Sequence, residues 1–395
     1  MTLPDDTCDG LEKEEIEAAP SDFDLPPGVP ALRMFYLYLS AGCNLNCRHC
    51  WITPTFINGK PAPAECLDIG LIKQAVFEAK PLGLTAVKLT GGEPTLHPDF
   101  IRVVDFLFEQ KLSLTMETNG TLINQDIARH LADGHKLSHV AVSLDSPDPA
   151  WHDQFRGKRG AFDAAVRGIE NLVKAGFKPQ IIMSVVRDNK DHIEALIELA
   201  LKLGAGSVKF NPVTPSGRGA DIHDHGQGLS IEELLALTHH IRGVLQDRHE
   251  IYLSVMLPPA MWTIRELLRY GGLGGACHVR NILGLLGTGE MALCGIGRNI
   301  PELCFGMLGK DSVGDVWINH PTLIKMRRDL EGPFPGLCGN CIHARRCLTH
   351  CVAMNFEATG RLVDVSPICA EAEKAGFFPE NRKRDIPHCS AATDR

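Results

Sequence analysis

The chain has 395 residues, 14 of them cysteine, with 44% hydrophobic content and a formal net charge of −8. At about 100–200 residues per unit this is length for two or more units with a sizeable core. No apolar run reaches the roughly 18 residues of a membrane span, no basic-then-apolar leader opens the chain and no basic block marks a nucleic-acid surface, so a cytoplasmic protein with neither a membrane nor a nucleic-acid partner is expected.

In chain order, residues 1–32 are acidic and proline-bearing and read as a flexible segment. From Arg33 short apolar strands alternate with stretches of helical period. The strands expected are Met34–Leu39, Ala86–Thr90, Leu112–Glu117, Val140–Leu144, Gln180–Val186 and Ser207–Asn211. The helices expected are Ile69–Lys80, Pro98–Gln110, Asn124–Ala132, Phe162–Ala175, Asp191–Leu203 and Ser230–Leu245. Strand–helix alternation predicts a parallel sheet covered by helices, and six units fit an α/β, partial (β/α)6 TIM-like barrel over 33–256. In such folds functional groups gather at the C-terminal ends of strands.

The first strand runs into Cys43, Cys47 and Cys50, spaced C-x3-C-x2-C. Three thiolates on one loop suit three corners of a [4Fe–4S] cluster, leaving the fourth iron to a small molecule. A zinc knuckle or scattered core cysteines is the plain alternative. The second strand ends in Gly91-Gly92-Glu93-Pro94, where paired glycines let backbone approach a ligand closely. Asn119 follows the third strand, Ser143 and Asp145 close the fourth, Arg156 lies in Phe155-Arg156-Gly157, and Asn211 ends the sixth. Residues Ser216–Gly228 read as a flexible lid or crossing.

Past residue 256 the cysteines cluster again: Cys277, Cys294, then Cys338-x2-Cys341-x5-Cys347-x3-Cys351, and Cys369. Two zinc sites would use similar spacing. Residues 257–375 are expected to form a bridging and cysteine-rich domain, and 376–395 a tail. Cys8, Cys66 and Cys389 read as incidental thiols.

These motifs together resemble the radical S-adenosylmethionine (SAM) superfamily. The resemblance implies that the free iron of the first cluster chelates SAM, and that reductive cleavage of SAM yields a 5′-deoxyadenosyl radical. It assigns the SAM amino group to Gly91, Gly92, Glu93 and Pro94, with Glu93 as acceptor. It gives the ribose or methionine part to Asn119, the carboxylate to Ser143 and Arg156, and the adenine to the main chain at Asn211. His49 holds a usually aromatic position and is not expected to be a ligand or a base.

The C-terminal series is similar to the SPASM extension of peptide-modifying members, which carries two auxiliary [4Fe–4S] clusters. Carried over, Cys338, Cys341, Cys347 and Cys369 hold the outer cluster and Cys277, Cys294 and Cys351 the inner one. The inner cluster then has an open iron, or Cys304 caps it. The text from Cys369, CAEAEKAGFFP, resembles proteins of small peptide-modification cassettes such as SynChlorMet.

The function implied is modification of a ribosomally made precursor peptide by crosslinking, thioether formation or oxidation. A one-electron donor of flavodoxin or ferredoxin type is implied. A separate leader-recognition protein is also expected, because only about thirty residues precede the first strand. Haem-precursor processing and sulfatase maturation are the enzyme alternatives; Gly295-Ile296-Gly297 after Cys294 offers no acid for the latter. A non-catalytic iron–sulfur electron carrier is the alternative of another class, and it would not need the strand-end motifs. No catalytic acid or base is identified.

Overall fold

The computed structural model describes residues 23–57, 60–61, 65–269, 278–295 and 299–384. Six parallel strands form its centre: β1 (Met34–Tyr38), β2 (Ala86–Thr90), β3 (Ser113–Thr118), β4 (His139–Ser143), β5 (Gln180–Val185) and β6 (Ser207–Pro212). They are hydrogen-bonded in chain order, beginning with Met34 opposite Ala86. The helices between them are α1 (Ile69–Ala79), α2 (Phe100–Glu109), α3 (Gln125–Ala132), the pair α4 (Pro149–Arg156) and α5 (Ala161–Lys174), and α6 (Ile193–Lys202). Two of them start on aspartates that accept main-chain N–H bonds, Asp68 from Gly70 and Leu71, and Asp148 from Ala150 and Trp151. Capping of this kind satisfies donors that the first helical turn leaves open.

The expected six-unit α/β barrel is present, and the sheet is wider than it. After α7 (Gly219–Asp224) and α8 (Ile231–His240), β7 (Tyr252–Val255) adds in parallel to β6. At the other edge β8 (Ile282–Leu285) pairs in parallel with β1, Met34 opposite Ile282. Antiparallel β9 (Glu290–Ala292) and β10 (Cys304–Met307) follow, so one ten-stranded sheet crosses residue 256, where two domains were expected to divide. A single apolar core joins both parts, from Leu32 and Phe35 to Trp317 and Leu330.

Both expected terminal segments are partly docked. Leu32 is fully buried, and Pro30 accepts a bond from the Trp317 indole at 2.9 Å. Near the other end Phe378 is buried, and Arg382 donates to the Trp262 carbonyl at 2.9 Å. Apolar side chains at 32 and 378 give these stretches surface to bury; residues 1–22 lie outside the described residues.

Candidate active site

The loop carrying Cys43, Cys47 and Cys50 is fixed on three sides. Gly92 and Glu93 donate their main-chain N–H groups to the carbonyls of Ser40 (2.8 Å) and Gly42 (2.9 Å). The end of α4 takes the middle of the loop: Asn46 donates to the Arg156 carbonyl at 3.0 Å and Arg48 to that of Phe155 at 2.9 Å. Arg218 donates its main-chain N–H to the Cys50 carbonyl at 3.1 Å, and its side chain bonds Asn46. The segment expected as a flexible crossing is thus tied to the cysteine loop and contains α7.

Close approach explains the glycines. A Cβ on Gly92 would stand 2.0 Å from the Gly42 oxygen, and one on Gly157, at φ +66°, 2.3 Å from the Asn46 oxygen. Neither contact leaves room for a side chain.

The loop faces a chamber of about 470 Å³ at the C-terminal ends of the strands. All three cysteines line it, with Gly91, Gly92, Asn119, Ser143, Arg156 and Asn211 of the expected SAM set. Glu93 and Pro94 do not line it. Glu93 is fully buried behind the turn, and its carboxylate accepts from Thr118 Oγ1 (2.7 Å), Asn119 N (2.8 Å) and Thr95 Oγ1 (2.5 Å). Glu93 therefore welds the glycine turn to the end of β3 rather than waiting as an acceptor for a ligand. Burial pushes its pKa up against those bonds.

Two other assigned side chains have protein partners. Asn119 donates through Nδ2 to Asn44 Oδ1 (2.9 Å) and to Cys43 Sγ (3.7 Å). Arg156 forks onto Asp145, Nε to Oδ2 at 2.5 Å and Nη2 to Oδ1 at 3.0 Å, and sends Nη1 to Cys47 Sγ at 3.7 Å. His49 behaves as the aromatic it replaces: its ring stacks on Phe155 at 4.5 Å, and burial lowers its pKa to about 3.

Burial also lifts the thiols, Cys43 to about 12, while the Arg156 cation partly offsets burial at Cys47. Sulfur that resists ionising alone is suited to a cation that compensates the thiolate. Among the described residues no three His, Cys, Asp or Glu side chains gather tightly enough for a single metal ion. A four-iron cube is larger, with its thiolate corners further apart, and the three cysteines around one chamber wall fit such a group.

The second cysteine set divides. Cys338, Cys341, Cys347 and Cys369 line one small apolar space, and burial followed by neighbouring sulfurs raises Cys347 to about 12; burial alone leads at Cys338, raised to about 11. Cys351 lines the main chamber instead. Cys294 follows β9, where Gly295 presses against Trp51 and Tyr38 of the first-cluster region. Cys304 sits across from Ala292 on the neighbouring strand. Cys277 lies outside the described residues, as do Cys8 and Cys389.

Sequence reasoning missed His350. It lines the chamber beside Cys351, is buried, and neither ring nitrogen has a partner. Burial lowers its pKa to about 4. Leu348, Thr349 and His350 all have positive φ, at 51°, 62° and 71°. Three successive non-glycine residues in that region are costly, and nothing in the local sequence announces them.

Residues 37–200 match the model of the radical SAM superfamily. An AdoMet-dependent heme synthase of Methanosarcina barkeri is 30% identical over 351 residues, covering 86% of this chain and 96% of that protein. The chain is a member of the radical SAM superfamily. The mycofactocin maturase MftC of Mycolicibacterium smegmatis is 28% identical to this radical SAM enzyme, covering 88% of the chain and 85% of the maturase. Among solved structures, Streptococcus suis SuiB bound to its precursor peptide SuiA superposes with a TM-score of 0.64 at 16% identity, covering 87% of this chain and 76% of SuiB. That likeness establishes the fold, with its cysteine-rich C-terminal region. Family membership implies the [4Fe–4S] cluster and SAM for the Cys43, Cys47, Cys50 loop. No helix among the described residues is long and apolar enough to cross a membrane.

Proposed function

We propose that this radical SAM enzyme modifies a ribosomally made precursor peptide, by crosslinking, thioether formation or oxidation of one residue. The observation carrying the reading is the shape of the chamber. Its floor is the cysteine loop and the strand ends, and its roof is His350, Cys351, Met354 and Ile368 from the C-terminal region. About 470 Å³ must accommodate SAM and the reacting group together. The chamber lies between the strand ends of the barrel and the cysteine-rich C-terminal region, so a substrate entering it would face both. Relatives named as a maturase and as a peptide-bound enzyme lie in the same direction.

Cys43, Cys47 and Cys50 would hold the cluster, and cluster and SAM together would supply the radical chemistry for hydrogen-atom removal. The protein's own part is positional. The Gly91-Gly92 main chain, Ser143 and Asn211 border the space for SAM, and the roof faces the substrate. The buried set Cys338, Cys341, Cys347 and Cys369, and the set Cys277, Cys294 and Cys351, would hold two auxiliary [4Fe–4S] clusters, whose role would be to accept the surplus electron or a substrate thiolate. The fourth inner ligand is Cys304 or substrate. A flavodoxin- or ferredoxin-type donor and a leader-binding partner complete the scheme.

The test is reductive SAM cleavage by anaerobically reconstituted protein with a deuterated candidate peptide encoded beside it. Deuterium in 5′-deoxyadenosine and a mass change in the peptide are expected. Cleavage that no peptide stimulates, together with turnover of an iron tetrapyrrole, would replace this reading with haem-precursor processing, which the 30% identical relative favours.

A further inference from the structure

The inside of a (β/α) barrel is ordinarily filled with apolar side chains. In this barrel three strands bring charge there. Val87 and Leu89 of β2, Leu114 and Met116 of β3, and Val208 and Phe210 of β6 are buried in the apolar core. Side chains alternate along a strand, so Lys88, Glu117 and Lys209 face the opposite way, into the barrel. Lys88 and Glu117 close on each other at 2.6 Å, and Lys88 Nζ also lies 5.0 Å from the centre of the Tyr36 ring. Lys209 is partly buried, and its Nζ makes neither a hydrogen bond nor an ion pair with any described residue. Burial lowers its pKa, and the nearby Glu117 charge opposes the shift without cancelling it. Two lysines thus share one carboxylate, which Lys88 already holds.

Besides cysteines and histidines, the charged side chains lining the chamber are Arg156, Glu117 and Lys209 among the described residues. The resemblance gives the SAM carboxylate to Arg156 and Ser143, so Lys209 has no assigned ligand. An ammonium offers three donors, and a cation drawn out of water is costly until an anion meets it. We propose that Lys209 is the recognition point for a carboxylate of the substrate, with the Lys88–Glu117 pair holding the surroundings at a net positive charge. By engaging Glu117, Lys88 keeps that carboxylate from closing on Lys209 and leaves the ammonium open to the chamber. The inference rests on the proposed function only in taking the chamber as the place where substrate reacts, and it deepens that reading by making the substrate an acid. An acidic side chain or C-terminus of a peptide and a carboxylate arm of a tetrapyrrole share this chemistry.

The experiment measures binding to full-length, anaerobically reconstituted enzyme with SAM present, by isothermal titration calorimetry. The probes are the precursor peptide encoded beside the enzyme and iron mesoporphyrin IX, each as the free acid and as the methyl ester. For at least one probe the ester is expected to bind wild type about tenfold more weakly than the acid, and Lys209→Met to abolish that difference. Lys209→Arg, which keeps a cation, should retain part of it. SAM affinity, read by equilibrium dialysis, should change less than about threefold in Lys209→Met. A Lys209-dependent difference with the peptide supports both the subsite and the peptide reading. One confined to the porphyrin keeps the subsite and moves the function to haem-precursor processing. Esterification that weakens wild type and Lys209→Met equally, or neither, with both probes overturns the subsite and leaves the peptide reading to the mass change already described. Loss of SAM binding in Lys209→Met would hand the lysine to SAM and overturn it as well. If Lys209→Met fails to fold, Lys209→Gln is measured in the same way and read by the same outcomes.

Discussion

His152 is almost completely buried beside Asp145, accepts the Asp145 N–H at 3.2 Å, and has its pKa lowered to about 4, first by burial. In the unfolded chain a histidine titrates near 6.5. Between those values the unfolded state binds a proton that the folded state refuses, so stability conferred above pH 6.5 is lost as pH falls towards 4. The loss is at most about 1.4 kcal/mol per pH unit from this one ring. Replacing His152 with Gln should flatten the dependence of melting temperature on pH in that window. An unchanged slope would show that the ring titrates normally. His49 and His350, lowered for the same reason, steepen the same decline.

At the scale of elements, the end of α4 is what seats the cysteine loop. Gly157→Ala combines a left-handed φ with a Cβ placed 2.3 Å from the Asn46 oxygen, so the helix end and the loop must separate. The expected result is retained far-UV circular dichroism with loss of roughly a third of the bound iron, if three clusters are present. Full iron content in that variant would mean the loop finds its shape unaided. Elements of this kind were partly legible beforehand. The six central strands stand within two residues of their sequence-based limits, because each is a short apolar run between helices of clear 3.6 period. Tyr252–Val255, Ile282–Leu285, Glu290–Ala292 and Cys304–Met307 were not foreseen. They are three or four residues long and are specified by partners far away in the chain. The site divides similarly. Cysteine spacing is a local signal and was readable. The bonds from Asn119 to Cys43 and from Thr118 to Glu93 depend on strands that meet only after folding.

Across the whole molecule, Trp317 joins the first described residues to the C-terminal region. It is fully buried, donates to the Pro30 carbonyl, and lies under the Arg327 guanidinium, 4.3 Å from the ring centre. No nitrogen of Arg327 has a hydrogen-bond partner, so the ring face is its compensation. Trp317→Ala is expected to cost about 3–5 kcal/mol, more than Trp317→Phe, as read by denaturant unfolding. Equal losses would mean that neither the ring face nor its volume contributes, and that the indole N–H bond to Pro30 carries the effect.

The strand beside β1 on its outer side is β8, whose residues follow almost the entire barrel in the chain. A ribosome delivers them late. Until then the strand leading into Cys43 has one flank of unpaired backbone. Once β8 docks, the strand that leads into Cys43 is paired on both edges, with β2 on one side and β8 on the other. The anchorage of the cysteine loop therefore depends on residues from both ends of the chain.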